Sequence, residues 1–245
     1  MKWLIAIVTI FALHSRAEAD EAFHEMARSG SQAEVEQAIK SGADVDDQDE
    51  FGRTPLMLAA EYNENQGVLT AILDAGADVN VHDFNGRTAL MLASQSSANP
   101  EIHTELITAG ANINATTANG SNSLMYAAGF NPNPLVIGLL LRAGAEVNST
   151  TNYGWSPLML AAAYNANTEI LVLLLDAGAN IEAKDDQGRT PLIFAASISE
   201  NPEVIITLLD AGADAKAQDI HGKTAIDYSQ DNPKLRGTSL FAPSR

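Results

Sequence analysis

Two ladders of glycine constrain this chain more than any other feature in it. Gly52, Gly86, Gly120, Gly154, Gly188 and Gly222 are each 34 residues apart, and so are Gly42, Gly76, Gly110, Gly144, Gly178 and Gly212. Self-similarity at a fixed period marks one supersecondary unit stacked on copies of itself, since such a unit cannot bury its apolar face alone. The stretch 151–184, TNYGWSPLMLAAAYNANTEILVLLLDAGANIEAK, displays the unit. A turn from Asn152 to Gly154 leads to a short helix opened by Ser156-Pro157. A second turn, Asn165-Ala166-Asn167, leads to a helix from Thr168 to Ala177 that stops at Gly178. The core is then a strip rather than a ball, and the 46% of hydrophobic residues is ample to fill it. Aromatics are scarce at 6%, so Ala, Leu and Ile carry the packing.

Local signals fix the parts of each unit. Thr54-Pro55, Thr190-Pro191 and Ser156-Pro157 each place an N-cap before a proline at the first helical position. Asn99-Pro100, Asn133-Pro134 and Asn201-Pro202 do the same for the second helix. Ala-Gly-Ala closes that helix, with glycine in the left-handed C-cap conformation. These signals define an N-terminal capping repeat at 20–48, in which Ser31 and Glu34 form a capping box and Gln32, Glu34, Glu36, Gln37 and Lys40 give the polar outer face. Five full repeats follow at 49–82, 83–116, 117–150, 151–184 and 185–218. A C-terminal capping repeat spans 219–241, where Leu240 and Phe241 are expected to cover the last apolar face, and 242–245 is a loose tail.

These residues name a family. GRTPLMLAA (Gly52 to Ala60) followed by ILDAGADVN (Ile72 to Asn80) resembles the ankyrin repeat, and the resemblance covers Asp20 to about Leu235. It implies an all-α solenoid of stacked helix-turn-helix units with β-turn fingers. The chain departs from the family in two ways. The family's histidine after Thr-Pro-Leu, which ties neighbouring repeats by hydrogen bonds, is replaced by Met57, Met91, Met125, Met159 and Ile193, so apolar packing is expected in its place. The inter-helix turn is one residue longer, and its glycine gives way to Asn63, Ser97, Asn131, Asn165 and Ser199; asparagine suggests itself there because it tolerates left-handed backbone. The Asn-x-Asn turn is similar to a variant of bacterial members, which implies a bacterial envelope protein.

The N-terminus supports export. Lys2 precedes an apolar run from Trp3 to Leu13, and Ala17-Glu18-Ala19 fits a cleavage site, so 1–19 reads as a signal peptide, Asp20 as the mature start, and the expected location is periplasmic or secreted. The run is short of the roughly 20 residues a membrane span needs. Removing Lys2, Arg16 and Glu18 leaves 12 basic and 30 acidic residues, a net charge of −18. Such a chain is repelled by nucleic acid and by anionic lipid. With no cysteine, it has neither disulfides nor a lipid-anchoring thiol.

No pattern of catalysis, cofactor or metal binding emerges. The histidines at 14, 24, 82, 103 and 221 belong to no repeated row, and His24-Glu25 lacks a second histidine four residues on. The acidic run from Asp44 to Glu50 fails as a calcium loop, because Asp49 and Pro55 stand where glycine and glutamate are required. Three Asn-x-Ser/Thr triplets, at Asn114, Asn119 and Asn148, matter only in a eukaryotic secretory pathway. What the sequence does offer is a surface. In the ankyrin architecture the fingers and the solvent side of the first helices form a concave groove. Phe51, Phe84, Tyr153 and Trp155 fall on fingers, while Tyr62, Phe130 and Tyr164 end first helices, with Ser96 and Ile198 continuing that row. These seven are most of the twelve aromatics beyond residue 19. Arg53, Arg87, Arg189 and Lys223 form a basic row on the same fingers, expected to pair with finger aspartates such as Asp83 and Asp185. The reading is a non-catalytic, monomeric module that binds a protein partner on the aromatic face, without nucleic acid or stable membrane insertion. The alternative is a self-associating spacer in which the aromatics only shield the stack.

Overall fold

The computed structural model describes residues 20–235. The segment read as a signal peptide and the proposed covering residues Leu240 and Phe241 lie outside that range. Thirteen helices run through the described residues, with no strand among them. They come in pairs: α1 (20–29) with α2 (Gln32–Lys40), α3 (Pro55–Tyr62) with α4 (Gln66–Asp74), and α5 (Ala89–Ser96) with α6 (Pro100–Thr108). Next come α7 (Ser123–Phe130) with α8 (Pro134–Arg142), α9 (Pro157–Tyr164) with α10 (Thr168–Asp176), and α11 (Pro191–Ile198) with α12 (Pro202–Asp210). The single helix α13 (Ala225–Asp231) closes the stack. From α3 to α13 each odd-numbered helix packs on the next, and from α2 to α12 each even-numbered one does the same. The molecule is therefore a two-row, all-α solenoid.

The two rows bury different amounts of themselves for reasons visible in their residues. The inner helices of the full repeats, α3, α5, α7, α9 and α11, are buried over most of their length and correspondingly apolar on several sides; α9 buries every residue from Pro157 to Ala163. The even, outer helices bury one stripe, such as Val68, Leu69 and Ile72 of α4. Each buried Leu or Ile contributes about 1.5–3 kcal/mol. Paired alanines, such as Ala59-Ala60 and Ala161-Ala162, are at most 1% exposed and let the inner helices approach closely.

Side-chain caps begin every helix from α2 onward. Thr54, Thr88, Asn122, Ser156, Thr190 and Thr224 accept from the amide three residues on, at 3.0–3.4 Å. Asn65, Asn99, Asn133, Asn167 and Asn201 cap the outer helices by accepting from the amide two residues on. The capping box of Ser31 and Glu34 is formed, with the Glu34 carboxylate accepting from the Ser31 amide at 2.8 Å. Outer helices end on glycine with positive φ. Gly76 (φ +92°) donates to the Leu73 carbonyl, and Ala77 donates to Ile72. Gly154 on its finger is needed twice over: it has φ +79°, and a Cβ there would sit 2.9 Å from the Asp185 Cα.

The turn between the paired helices corrects two expectations. Asn63, Asn131 and Asn165 have φ of −92°, −82° and −97°, so asparagine is not there to adopt left-handed backbone. Its side chain is the reason. Each of these residues, and Asn232, is buried and donates its amide to two carbonyls of the preceding helix pair: Ala27 and Gly30, Ser94 and Ser97, Ala128 and Asn131, Ala196 and Ser199. These eight bonds measure 2.8–3.2 Å. The methionine row is buried, as its replacement of histidine implied. The polar tie between repeats, however, has not been lost to apolar packing; the turn asparagines carry it. Ser97 and Ser199 are too short to reach across. Ser97 Oγ accepts only from the Asn99 amide, and Ser199 Oγ bonds only the backbone of Asn201.

Candidate interaction face

The fingers project from the N-terminal ends of the inner helices. Each is a β-turn closed by the glycine amide, as in Gly86 to the Asp83 carbonyl at 2.8 Å, and neighbouring fingers join through bonds such as the Phe84 amide to the Phe51 carbonyl at 3.1 Å. The basic row is paired, as expected for its arginines. Asp49, Asp83 and Asp185 use one carboxylate oxygen to accept two finger amides and the other to accept the guanidinium of Arg53, Arg87 and Arg189. Burial opposes the charge of Asp49, but bonds from the Arg53 amide and guanidinium and the Phe51 amide outweigh it and hold that carboxyl below the usual range. Lys223 behaves differently: its ammonium lies over the Tyr228 ring at 5.3 Å, and Tyr228 donates to Asp219 at 2.7 Å.

Two fingers depart from this scheme. Thr117 and Thr151 stand where the others have aspartate, and Ser121 and Trp155 where they have arginine or lysine. Thr151 Oγ1 accepts the Tyr153 and Trp155 amides at 3.3 and 3.2 Å, a neutral version of the same turn. Residues 117–133 and 151–167, the fingers, inner helices and turns of these two units, contain no Asp, Glu, Lys or Arg. A charge-free band thus crosses the face of a chain whose net charge is −17.

The aromatics named from the sequence are exposed to different degrees, and the Arg53 guanidinium lies over the Phe51 ring at 4.9 Å. Phe51, Phe84 and Tyr153 are well exposed on fingers, Phe84 the most at 75%. Phe130 and Tyr164 stack on each other with ring centroids 5.7 Å apart, leaving each about half exposed, above a notch that they line with Gly129, Pro132 and residues 165–167. Tyr62 is stacked from one side by the Arg28 guanidinium at 4.6 Å. Burial and the neighbouring Glu61 charge raise the Tyr62 phenol. Trp155 is mostly buried, set edge-on against the buried Phe194 at 5.6 Å and tilted against Tyr153. Its ring serves the stack at least as much as the surface.

The sequence reading missed the functional importance of the turn asparagines, although their recurrence at one place in the unit was a visible signal. It also missed that Phe194 is the partner of Trp155. Of the remaining ionisable groups, His103 is fully buried, its Nδ1 3.0 Å from the Asn99 carbonyl, and burial lowers its pKa. Among the described residues no three His, Cys, Asp or Glu side chains come together as a metal site, and no helix is long and apolar enough to cross a membrane.

Stacked helix pairs, projecting fingers and one continuous open face define a repeat protein of the kind that works by presenting a surface. A family model described as ankyrin repeats (3 copies) matches residues 23–117 and 124–219, and the chain belongs to the ankyrin repeat family. Members are generally protein–protein interaction modules and typically non-catalytic. No curated protein matches the chain.

Proposed function

We propose that the chain is a non-catalytic interaction module that holds a protein partner on its finger and inner-helix face, centred on the charge-free band. The observation that carries this is the coincidence of exposed aromatics with an absence of charge. Tyr153 at one edge of the charge-free band and the stacked Phe130 and Tyr164 at the other are exposed where no ion pair occupies the fingers. Export through the leader-like segment 1–19 belongs to this reading, and with it a partner outside the cytoplasm.

The test is affinity capture from the native source with residues 20–245, followed by identification of the bound protein by cross-linking. Tyr153→Ala with Tyr164→Ala should weaken capture at least roughly 30-fold, the loss expected for removing true hot spots. Trp155 is left intact because its loss would disturb Phe194. Unchanged capture by a variant with native circular dichroism would sink the assignment of this face. Concentration-dependent light scattering with no captured partner would instead favour the self-associating spacer.

A further inference from the structure

The row of side chains at the C-terminal ends of the inner helices is interrupted in one place. Arg28 stacks on Tyr62, and Phe130 stacks on Tyr164. Between these two planar pairs stands Ser96, exposed and too small to reach either ring. The next residue is Ser97, where the adjoining unit has Asn131. By the register of the other rungs, an asparagine at 97 would donate to the carbonyls of Ala60 and Asn63. Its absence leaves the C-terminus of α3 without that donor.

A notch of about 470 Å³ opens there, lined by residues 60–64 and 96–99. The comparable notch between Phe130 and Tyr164 is not lined by Ala128 and Asn131, whose carbonyls the Asn165 amide covers. The chemistry of the gap is one-sided. The last carbonyls of α3 carry the negative end of the helix dipole. Glu61 and Glu64 line the walls, the Glu61 carboxylate also interacting with the Tyr62 phenol and Arg53. The Tyr62 ring, already covered by one guanidinium on its α1 side, stands at the edge.

We infer that this notch is a receptor for an arginine side chain of the partner protein, an assignment that rests on the interaction-module reading. A guanidinium is planar, so it continues the row above Ser96 as the rings do on either side. Its several N–H groups supply the donors that the missing asparagine would have given to α3, and its charge meets Glu61 and Glu64. An aromatic side chain would satisfy only the first of these needs, while an ammonium supplies donors and charge but no plane to continue the row.

The experiment is an NMR titration of residues 20–245 with Nα-acetyl-arginine amide, set against the lysine and norleucine analogues. Amide shifts confined to residues 60–64 and 96–99, saturating at millimolar arginine and at least fivefold weaker with lysine, are expected. Two variants close the notch by independent means: Ser97→Asn supplies the missing amide, and Ser96→Phe fills the row. Each should abolish the local shifts, and Ser97→Asn should also raise the melting temperature, so that lost binding is not lost folding. Shifts equal for arginine and lysine, spread over the acidic surface, or persisting in both variants would overturn the inference. If partner capture survives Ser97→Asn but fails in the Tyr153/Tyr164 variant, the arginine receptor falls while the interaction face stands.

Discussion

The fingers at 83–87 and 151–155 have the same backbone and opposite chemistry. In the first, Asp83 gathers two amides and a guanidinium around a buried carboxylate; in the second, Thr151 gathers two amides around a hydroxyl, and Trp155 takes the arginine's place. The pair shows that charge is optional for building a finger. Where it is used, it is consumed internally, so the Asp–Arg fingers at 49–53 and 83–87 present Phe51 and Phe84 rather than free charge. Where it is omitted, Trp155 turns inward onto Phe194 and Tyr153 stays exposed on a finger that carries no charge.

The comparison breaks most visibly at the charged finger. Asp83→Ala strands two backbone donors and a half-buried arginine, and should cost about 3 kcal/mol in denaturant unfolding. Thr151→Ala should cost only about 1 kcal/mol, since it removes two longer, neutral bonds. Equal costs would mean that the clamps matter no more than the neutral turn. The charge-free centre should depend instead on its buried amide: Asn165→Ala, which removes donors to Ala128 and Asn131, should cost about 2 kcal/mol by the same measurement. A cost below that of Thr151→Ala would show that the asparagine rung is incidental.

Acid gives the finest separation. The Asp49 carboxyl is held low against burial by its finger bonds, and that of Asp219 likewise, against burial, by Tyr228 and the amides of Lys223 and His221. A carboxylate with a lowered native pKa stabilises the fold fully above its unfolded value of about 3.9, and the contribution disappears as pH falls through the native value. Below about pH 4, hydrogen exchange corrected for its intrinsic rate should therefore loosen 49–53 and 219–223 first. The fingers 117–121 and 151–155, which have nothing to titrate, should hold. Uniform loosening along the stack would contradict this division.

Much of the architecture could be read from residues that act locally. The glycine ladders, the Thr-Pro and Asn-Pro caps and the Ser31–Glu34 box each depend on neighbours within a few positions, and each is formed as read. The asparagine turn was misread because its partners lie 33 to 37 residues away, in the preceding helix pair. Local propensity offered left-handed backbone, while the packed stack needed an amide. The aromatic face was legible as a set, but its division was not. Sequence spacing cannot show that Trp155 leans on Phe194, or that Phe130 and Tyr164 spend one face on each other. The gap at Ser96 becomes meaningful only once the stacked pairs on both sides are seen.

The asparagine rungs also set how such a chain can assemble. Each closes a loop of about one repeat, so no step in building the stack requires distant parts of the chain to meet. Loop-closure entropy grows only slowly with length, and here it is met one short loop at a time. Topology of this kind favours nucleation at any well-joined pair of repeats, followed by growth outward in both directions. The run from 83 to 184, joined by Asn131 and Asn165 and bounded by the joints at Ser97 and Ser199 that lack this two-carbonyl bridge, is the longest uninterrupted stretch of such closures.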